Sequence, residues 1–248
     1  MTETAIMAFL LVFVRASATL LVAPMFGAQN TPLPVRILTT LSLAGALTVA
    51  IRPKLGPIPE SMHGLAMAVL IEAGAGLLLG GMVSLAMQAL TIAGSLADLQ
   101  TGLSMSQVLN PLGGVSSTVV SQLQTMLGLV VFLAANAHYL LIGAFVKSYD
   151  TVPTLAQAHD ALVPLLGGTF LLGIQIAAPV VAVGFLVDAS LGLVARAVPS
   201  IQPTQVGAPA KLVAGLVAVS IGLPLVVSSV STAVRMGLHA AGVAFGHA

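Results

Sequence analysis

Long apolar stretches without a single charge dominate this chain and predict its helices. Three of them, Ala73–Ala97, Ala161–Val187 and Leu212–Val234, run for 25, 27 and 23 residues. A helix that crosses a membrane needs about 20 predominantly apolar residues, so each run is long enough. Together with the turn-rich segments between them, the pattern predicts six helices, at about Thr4–Phe26, Val35–Ile51, Ser61–Leu96, Val119–Val146, Ala161–Val198 and Lys211–Arg235.

The predicted fold is all-α: a membrane-associated protein of about six long, partly broken helices that form one domain over residues 1–248. Composition supports this, because 58% of the residues are hydrophobic and only 6% are charged, against about 25% charged in soluble domains. At the N-terminus, Glu3 replaces the basic residues of a signal peptide and Arg15 directly precedes the small residues. We therefore expect a retained first helix.

One polar segment, Asp98–Val120, separates the third and fourth predicted helices. It is rich in Gly, Ser, Gln and Asn, and after Asp98 no charged residue follows until Lys147. Irregular backbone at membrane depth is tolerated only where protein or an aqueous path surrounds it. The segment is therefore predicted to close a pore. A second polar interruption, Val198–Pro209, contains three prolines, and Lys147–His159 is predicted to be an external loop.

Six charged residues fall in or beside the apolar elements. They are Arg15, Glu72, Asp98, Asp188, Arg196 and Lys211. Intramembrane charges usually face protein, so we favour a buried contact of Arg15 with another subunit. The alternative is a helix offset in depth, whose Arg15 snorkels or pairs within the chain. Asp188 and Arg196 lie about 12 Å apart along a helix. That is too far for a close pair, so each is expected to meet a partner on a neighbouring helix or to lie at a wet helix end.

The sequence predicts no catalytic residue, cofactor or metal site. There is no cysteine, no recognisable nucleotide, zinc or nucleophile motif is present, and a net charge of +1 gives no reason to expect nucleic acid. Glu72, Asp98 and Asp188 could instead form a proton or cation path in a small-solute transporter. Such a transporter typically has paired broken helices, whereas the breaks near Asn110 and Pro203 lie in dissimilar sequence.

Four segments, in order and at matching spacing, resemble the FliR family. This family is the R subunit of the bacterial flagellar type III protein export gate, and its injectisome relatives form the SctT family. The segments are Phe13–Ile37, Ile71–Pro111, Asn136–Pro153 and Leu191–Leu216. Gly102-Leu103-Ser104 is more similar to flagellar than to injectisome members, while Asn110 stands where the family more often has Asp.

The resemblance implies a structural and gating role. It implies assembly with the P-type and Q-type gate subunits (FliP and FliQ) and contact with the B-type switch protein FlhB. The expected location is the bacterial inner membrane, in the flagellar basal body and against membrane lipid, where unfolded flagellar proteins are exported. An injectisome gate subunit is the alternative. The six charged residues would then be buried within the assembly.

In this family the loop after the third long segment projects into the channel as a plug, which corresponds here to about Ser106–Val119. The plug residues implied are Gly102, Leu103, Met105, Ser106, Gln107, Val108, Leu109, Asn110, Pro111, Gly113 and Gly114. The glycines allow backbone motion, and Met105 with its apolar neighbours offers a deformable constriction that can gate by dewetting. The alternative is an ordinary surface loop.

Overall fold

The computed structural model describes residues 2–27, 31–51, 61–104, 119–197 and 203–246. Within these ranges every regular element is a helix, which confirms the all-α prediction. The helices are α1 (Thr2–Val22), α2 (Leu33–Ile51), α3 (Met62–Thr101), α4 (Val119–Ala134), α5 (Ala137–Lys147), α6 (Leu155–Ala197) and α7 (Pro203–Ala244).

The prediction of one continuous helix over Val119–Val146 is wrong. The chain forms α4 and α5 instead, which are bent by 72° relative to each other. Asn136 lies at the break with φ 55° and ψ 27°, in the left-handed region. Asn adopts this conformation more readily than most residues because its short polar side chain can bond locally.

Several predicted helix ends are also wrong. α3 continues through Gly94 to Thr101, where an end near Leu96 was predicted, and α6 begins six residues before Ala161. α7 begins at Pro203, so that residues 203–209 of the second polar interruption are helical, while residues 198–202 lie outside the described residues. Proline is tolerated at a helix start because its missing N–H would have no partner there.

The C-terminal tail is part of the core. α7 continues beyond Arg235, where the sixth predicted helix ends, as far as Ala244. Ala240, Ala244 and Phe245 are buried, and the Thr151 hydroxyl donates a hydrogen bond to the Phe245 carbonyl.

Contacts divide the chain into two compact units, while the single-domain prediction stays a prediction. The first unit comprises Met1–Ala86, Leu133–Gly167 and Val234–Ala248. In it, α1 packs against α2 and lies so close to α3 that a side chain at Gly76 or Gly80 would overlap α1 backbone. A glycine pair spaced as Gly76-x-x-x-Gly80 favours a close helix neighbour, and α1 is that neighbour.

The second unit comprises Met87–Phe132 and Gly168–Ala233, and in it the C-terminal half of α3 contacts α4, α6 and α7. Glycines provide the close contacts: Gly94 lies against Ser121 of α4, Gly173 of α6 lies against Ile92, and Gly215 of α7 lies against Thr101. Its core cluster is Ala97, Val120, Val180, Ala218 and Val219, with Leu103 and Val183 packed against it. Both ends of the polar segment therefore join this core.

Among the described helices, α1, α3, α6 and α7 are long and apolar enough to cross a membrane, and the α4–α5 pair would be a fifth span if counted as one. Much of their surface is uncovered within the chain: Phe170, Phe185 and Leu193 are all more than half exposed. Lipid or other protein must cover such residues, since large exposed apolar patches mark sites of membrane or protein contact.

Candidate functional site

The two ends of the polar segment meet at the Asp98 carboxylate. Asp98 lies in the last turn of α3 and is completely buried. Its Oδ1 accepts a hydrogen bond from the Val120 N–H at 3.1 Å, and its Oδ2 accepts one from the Ser121 N–H at 2.9 Å. These amides belong to the first turn of α4, where N–H groups lack intrahelical partners and the helix dipole is positive. We call this arrangement the Asp98 anchor.

The start of the polar segment also turns back towards Asp98. The Asp98 carbonyl accepts a hydrogen bond from the Ser104 N–H at 3.4 Å. Gly102 has φ +81°, a left-handed conformation that commonly ends helices at glycine. Leu103 packs against the core cluster of the second unit. Gly102 and Leu103, both predicted plug residues, thus form the structured base of the segment.

The other predicted plug residues lie outside the described residues. They are Met105, Ser106, Gln107, Val108, Leu109, Asn110, Pro111, Gly113 and Gly114. Val119, the predicted last residue of the plug, is the first residue of α4. The plug role therefore stays a prediction, and what the structure adds is the way its two ends are held.

Polar side chains between α3 and α4 extend the attachment beyond the Asp98 anchor. The Ser121 hydroxyl donates to the Thr91 carbonyl at 3.2 Å, and the Thr91 and Thr125 hydroxyls are 3.3 Å apart. Gln124 is buried beside them on α4. The sequence analysis missed this polar face, although spacings of three, four and seven residues on a helix do bring side chains to one side.

Arg15 is the centre of a buried cluster in the first unit, and only 2% of the residue is exposed. Its Nε donates to Glu72 Oε2 at 2.5 Å, and its Nη1 donates to the backbone carbonyl and the hydroxyl of Ser148 at 2.7 and 3.0 Å. The guanidinium carbon lies 3.8 Å from the centre of the Tyr149 ring. Pairing within the chain is therefore confirmed, and the favoured contact with another subunit is wrong because no face of the side chain remains free.

Ser148 and Tyr149 were missed by the sequence analysis, which assigned Lys147–His159 to an external loop. Both residues are buried, and α6 already begins at Leu155. Burial raises the pKa of the Tyr149 phenol far above its ordinary value; the Arg15 charge lowers that pKa and the Glu72 carboxylate raises it. Ser148 lies 133 residues from Arg15 along the chain, so no local pattern could have joined them.

Asp188 does meet a partner on a neighbouring helix, as predicted. The Lys211 Nζ of α7 lies 2.7 Å from Asp188 Oδ1, with the two side chains 27% and 48% exposed respectively. Arg196 is exposed in the last turn of α6, where a cation interacts favourably with the helix dipole. Burial of these three charges within an assembly stays a prediction.

The arrangement of the three carboxylates is suited to holding helices together. Glu72 pairs with Arg15, Asp98 with backbone amides and Asp188 with Lys211. Each carboxylate has a different kind of partner, and in the described part of the chain no three potential ligands are grouped as a metal site. Proton and cation paths use paired or clustered acidic side chains. The three carboxylates are not arranged in that way, because each pairs with a group of another kind.

Comparison with known proteins identifies the family. The family described as bacterial export proteins, family 1, matches residues 6–236. The flagellar biosynthetic protein FliR of Caulobacter vibrioides is 37% identical over 197 residues, which cover 77% of this chain and 78% of that protein. FliR of Bacillus subtilis is 36% identical over 203 residues, which cover 78% and 77%.

An injectisome-type relative matches a smaller part of the chain. The surface presentation of antigens protein SpaR of Salmonella typhimurium is 28% identical over 138 residues, which cover 54% of this chain and 52% of that protein.

The family resemblance of the sequence is thus confirmed over the helices that build both units. This chain belongs to the family of bacterial export proteins, family 1.

Proposed function

We propose that this chain is a structural and gating subunit of the flagellar type III export gate, through which unfolded flagellar proteins leave the cell. The observation that carries the proposal is the family match over residues 6–236, together with relatives named for flagellar biosynthesis. The flagellar relatives exceed the injectisome relative in both identity and coverage, which favours the flagellar system over the injectisome.

The gating part of the proposal concerns the segment between α3 and α4. The residues on either side of it are hydrogen-bonded to Asp98, so the two ends of the segment are held at one place in the second unit. Ends held in this way would let the segment occupy a channel without separating α3 and α4. Its composition is nearly uncharged, which suits a constriction that excludes ions by dewetting.

The expected partners are FliP, FliQ and FlhB, in the inner membrane at the flagellar basal body. The exposed apolar faces of α2, α6 and α7 support such an assembly, because they need protein or lipid to cover them. The exposed charges of Asp188 and Arg196, with the partly buried Lys211 beside Asp188, offer polar contacts to a neighbouring subunit. Reduced recovery of FliP and FliQ with the Asp188→Asn or Arg196→Gln variant would support this assembly role, and unchanged recovery would reject it.

The subunit needs no catalytic group in this role. It positions a plug and contributes helices to a channel, while the energy for export is supplied elsewhere. A small-solute transporter is the competing function, and co-purification separates the two. A gate subunit is recovered with P-type and Q-type partners, whereas a transporter is recovered without them and binds its solute.

The test of the plug is deletion of residues 107–117 in the complete gate complex. Complex recovery should be unchanged, while ion flux across the membrane or across reconstituted liposomes should rise. A matched control replaces the same residues with an uncharged Gly-Ser linker of equal length, which keeps the tether and removes the apolar side chains. Ion flux that stays at the wild-type level in the deletion variant would reject the plug role.

A further inference from the structure

We propose that a groove in the first unit binds one anionic phospholipid, with an acyl chain in the groove and the phosphate paired with Lys147. The groove lies between α5 and the C-terminal end of α7, with Leu79 of α3 also lining it, and its volume is about 330 Å³. Every described residue that lines it belongs to the first unit. We call it the α5–α7 groove. The inference is independent of the gating role, because it requires only that these helices lie against a membrane.

The walls of the α5–α7 groove suit a hydrocarbon chain. Along α5, the lining residues between Tyr139 and Lys147 are apolar or glycine, and so are the lining residues of α7; Leu140, Gly143 and Ala241 are examples. A water-soluble ligand would place polar groups against these walls without hydrogen-bond partners, which costs free energy. An acyl chain has no polar group to leave unpaired.

The size of the α5–α7 groove also favours a single chain over a helix of a partner protein. From Tyr139 to Lys147 the groove follows α5 for eight residues, or about 12 Å at 1.5 Å per residue. A helix of that length and about 10 Å in diameter occupies roughly 900 Å³, more than twice the volume of the groove. The hydrocarbon of one membrane leaflet is about 15 Å thick, so a lipid chain that starts at Lys147 would follow the groove within one leaflet.

Lys147 supplies the charge that selects an anionic headgroup. Among the described residues that line the α5–α7 groove it is the single charged side chain, and it is exposed. Asp150, the next acidic residue along the chain, has an interaction of its own and does not line the groove. A lysine ammonium binds phosphate as a point charge, and basic residues near a membrane surface attract anionic lipids. A zwitterionic phospholipid, whose headgroup also carries a positive charge, should bind more weakly.

Gly143 offers a way to fill the α5–α7 groove without disturbing the fold. A Cβ added at Gly143 would meet no atom within 4 Å, so a larger side chain can occupy the space proposed for the lipid chain. Leucine is also a better helix former than glycine, so Gly143→Leu should leave α5 intact. Gly45 of α2 has the same open surroundings and lies outside the groove, which makes Gly45→Leu the matched control.

The experiment places the full-length chain, within the complex that it forms, in nanodiscs that contain phosphatidylglycerol with a photoreactive group on one acyl chain. After illumination, mass spectrometry of the peptides should find the label on residues 139–147 and 238–245. Gly143→Leu should lower this labelling roughly tenfold, because the added side chain overpacks the groove when lipid is present. Gly45→Leu should leave the labelling unchanged. Wild-type labelling of residues 139–147 in Gly143→Leu would overturn the inference.

Variants of Lys147 test the headgroup. Lys147→Gln should lower labelling by phosphatidylglycerol roughly fivefold, the effect of one basic residue near a membrane surface. Labelling by phosphatidylcholine with the same photoreactive chain should not change. Lys147→Arg keeps the charge and should be labelled as the wild type is. Equal labelling of the wild-type chain by the two lipids would overturn the inference, and this comparison decides the outcome even if Gly143→Leu does not assemble.

A partner protein is the alternative occupant of the α5–α7 groove. In that case the lipid label will be absent from residues 139–147. A photoreactive amino acid in place of Tyr139, which is 65% exposed, will then cross-link to another subunit. Absence of the lipid label, with or without this cross-link, would overturn the inference and leave the proposed gating role untouched.

Discussion

Replacing Arg15 by Met should destabilise the protein more than any other single change at a charged residue described here. The substitution keeps an unbranched apolar side chain but removes the ion pair with Glu72, two hydrogen bonds to Ser148 and the contact with the Tyr149 ring. The Glu72 carboxylate, with 11% of its side chain exposed, would then be buried without a compensating charge.

The expected loss of stability comes from the Glu72 carboxylate, which would be buried without its ion-pair partner. Removing one partner of a buried ion pair typically lowers the free energy of unfolding by about 3–5 kcal/mol. Each kcal/mol corresponds to roughly 2–4 °C in melting temperature for a chain of this length, so the midpoint should fall by roughly 6–20 °C. The double variant Arg15→Met with Glu72→Met removes the stranded charge too, and leaves mainly the Ser148 carbonyl without its donor, at about 1–3 kcal/mol.

The assay heats the purified gate complex in detergent and measures the intact fraction by size-exclusion chromatography at a fixed heating time. Because unfolding of such proteins is commonly irreversible, the midpoint is an operational value and all variants must share one protocol. The double variant should melt above Arg15→Met alone. If the double variant melts at or below the single variant, the destabilisation does not come from an unpaired buried carboxylate and the reasoning is refuted. Asp160→Asn serves as the exposed control, because 74% of the Asp160 side chain is exposed, and the expected loss is below about 1 kcal/mol.

Two further predictions address packing and ionisation. Gly94→Ala should lower the free energy of unfolding by about 1–3 kcal/mol, because the added methyl group would overlap the Ser121 backbone. The control is Gly81→Ala on the same helix, where the added methyl group meets open space. This variant should melt at or slightly above the wild-type temperature in the same assay. In a Tyr139→Phe variant, which leaves Tyr149 as the single tyrosine, the folded protein should show no tyrosinate absorbance up to about pH 11, because burial raises that pKa. In the unfolded chain Tyr149 ionises at about pH 10. The stability that its burial contributes is therefore complete below that pH and decreases as the pH rises above it. Tyrosinate absorbance near pH 10 from the folded protein would contradict the burial of Tyr149.

The apolar pattern predicted the helices well because it is a local property. A run such as Ala161–Val187 can satisfy its backbone in a membrane only as a helix, and α6 covers it completely. The Gly76-x-x-x-Gly80 spacing is likewise a local feature, and it admits the close approach of α1 to α3. In both cases the determining residues lie within a few turns of one another.

Helix ends and the α4–α5 break were harder to predict, since packing decided them. Nothing in the sequence near Asn136 excludes a continuous helix. In the structure, however, Asn136 adopts a left-handed backbone conformation, and the two helices are bent by 72°. Gly94 lowers the helix propensity of the α3 sequence, because glycine is a poor helix former. In the structure its missing side chain admits the Ser121 backbone, so a residue that weakens a helix in isolation is needed for contact between two helices.

The charged residues show where sequence analysis stops. Their types and positions correctly indicated that partners were required, because charges inside apolar elements are expensive. The partners themselves lie 57 residues away for Arg15 and 22 residues away for Asp98, and two of the groups that bind Arg15 belong to a segment predicted to be an external loop. The sequence indicates that each charge within an apolar element needs a partner, but the tertiary fold determines which group that partner is.

The internal satisfaction of Arg15, Glu72 and Asp98 constrains how the chain can associate with others. These groups have almost no accessible surface, so they cannot provide attraction to a neighbouring subunit. What remains outside on α6 and α7 is mainly apolar, with exposed residues such as Phe185 and Ile221. A few charged groups are exposed beside them: Arg196, Arg235, Asp160 with His159, and Asp188 with its partner Lys211. Association of apolar helices in lipid depends on close van der Waals packing, because burial against protein gains little over burial against lipid. The buried charges therefore fix the shape of each unit, and that shape, more than charge, would select the partners of the proposed gate.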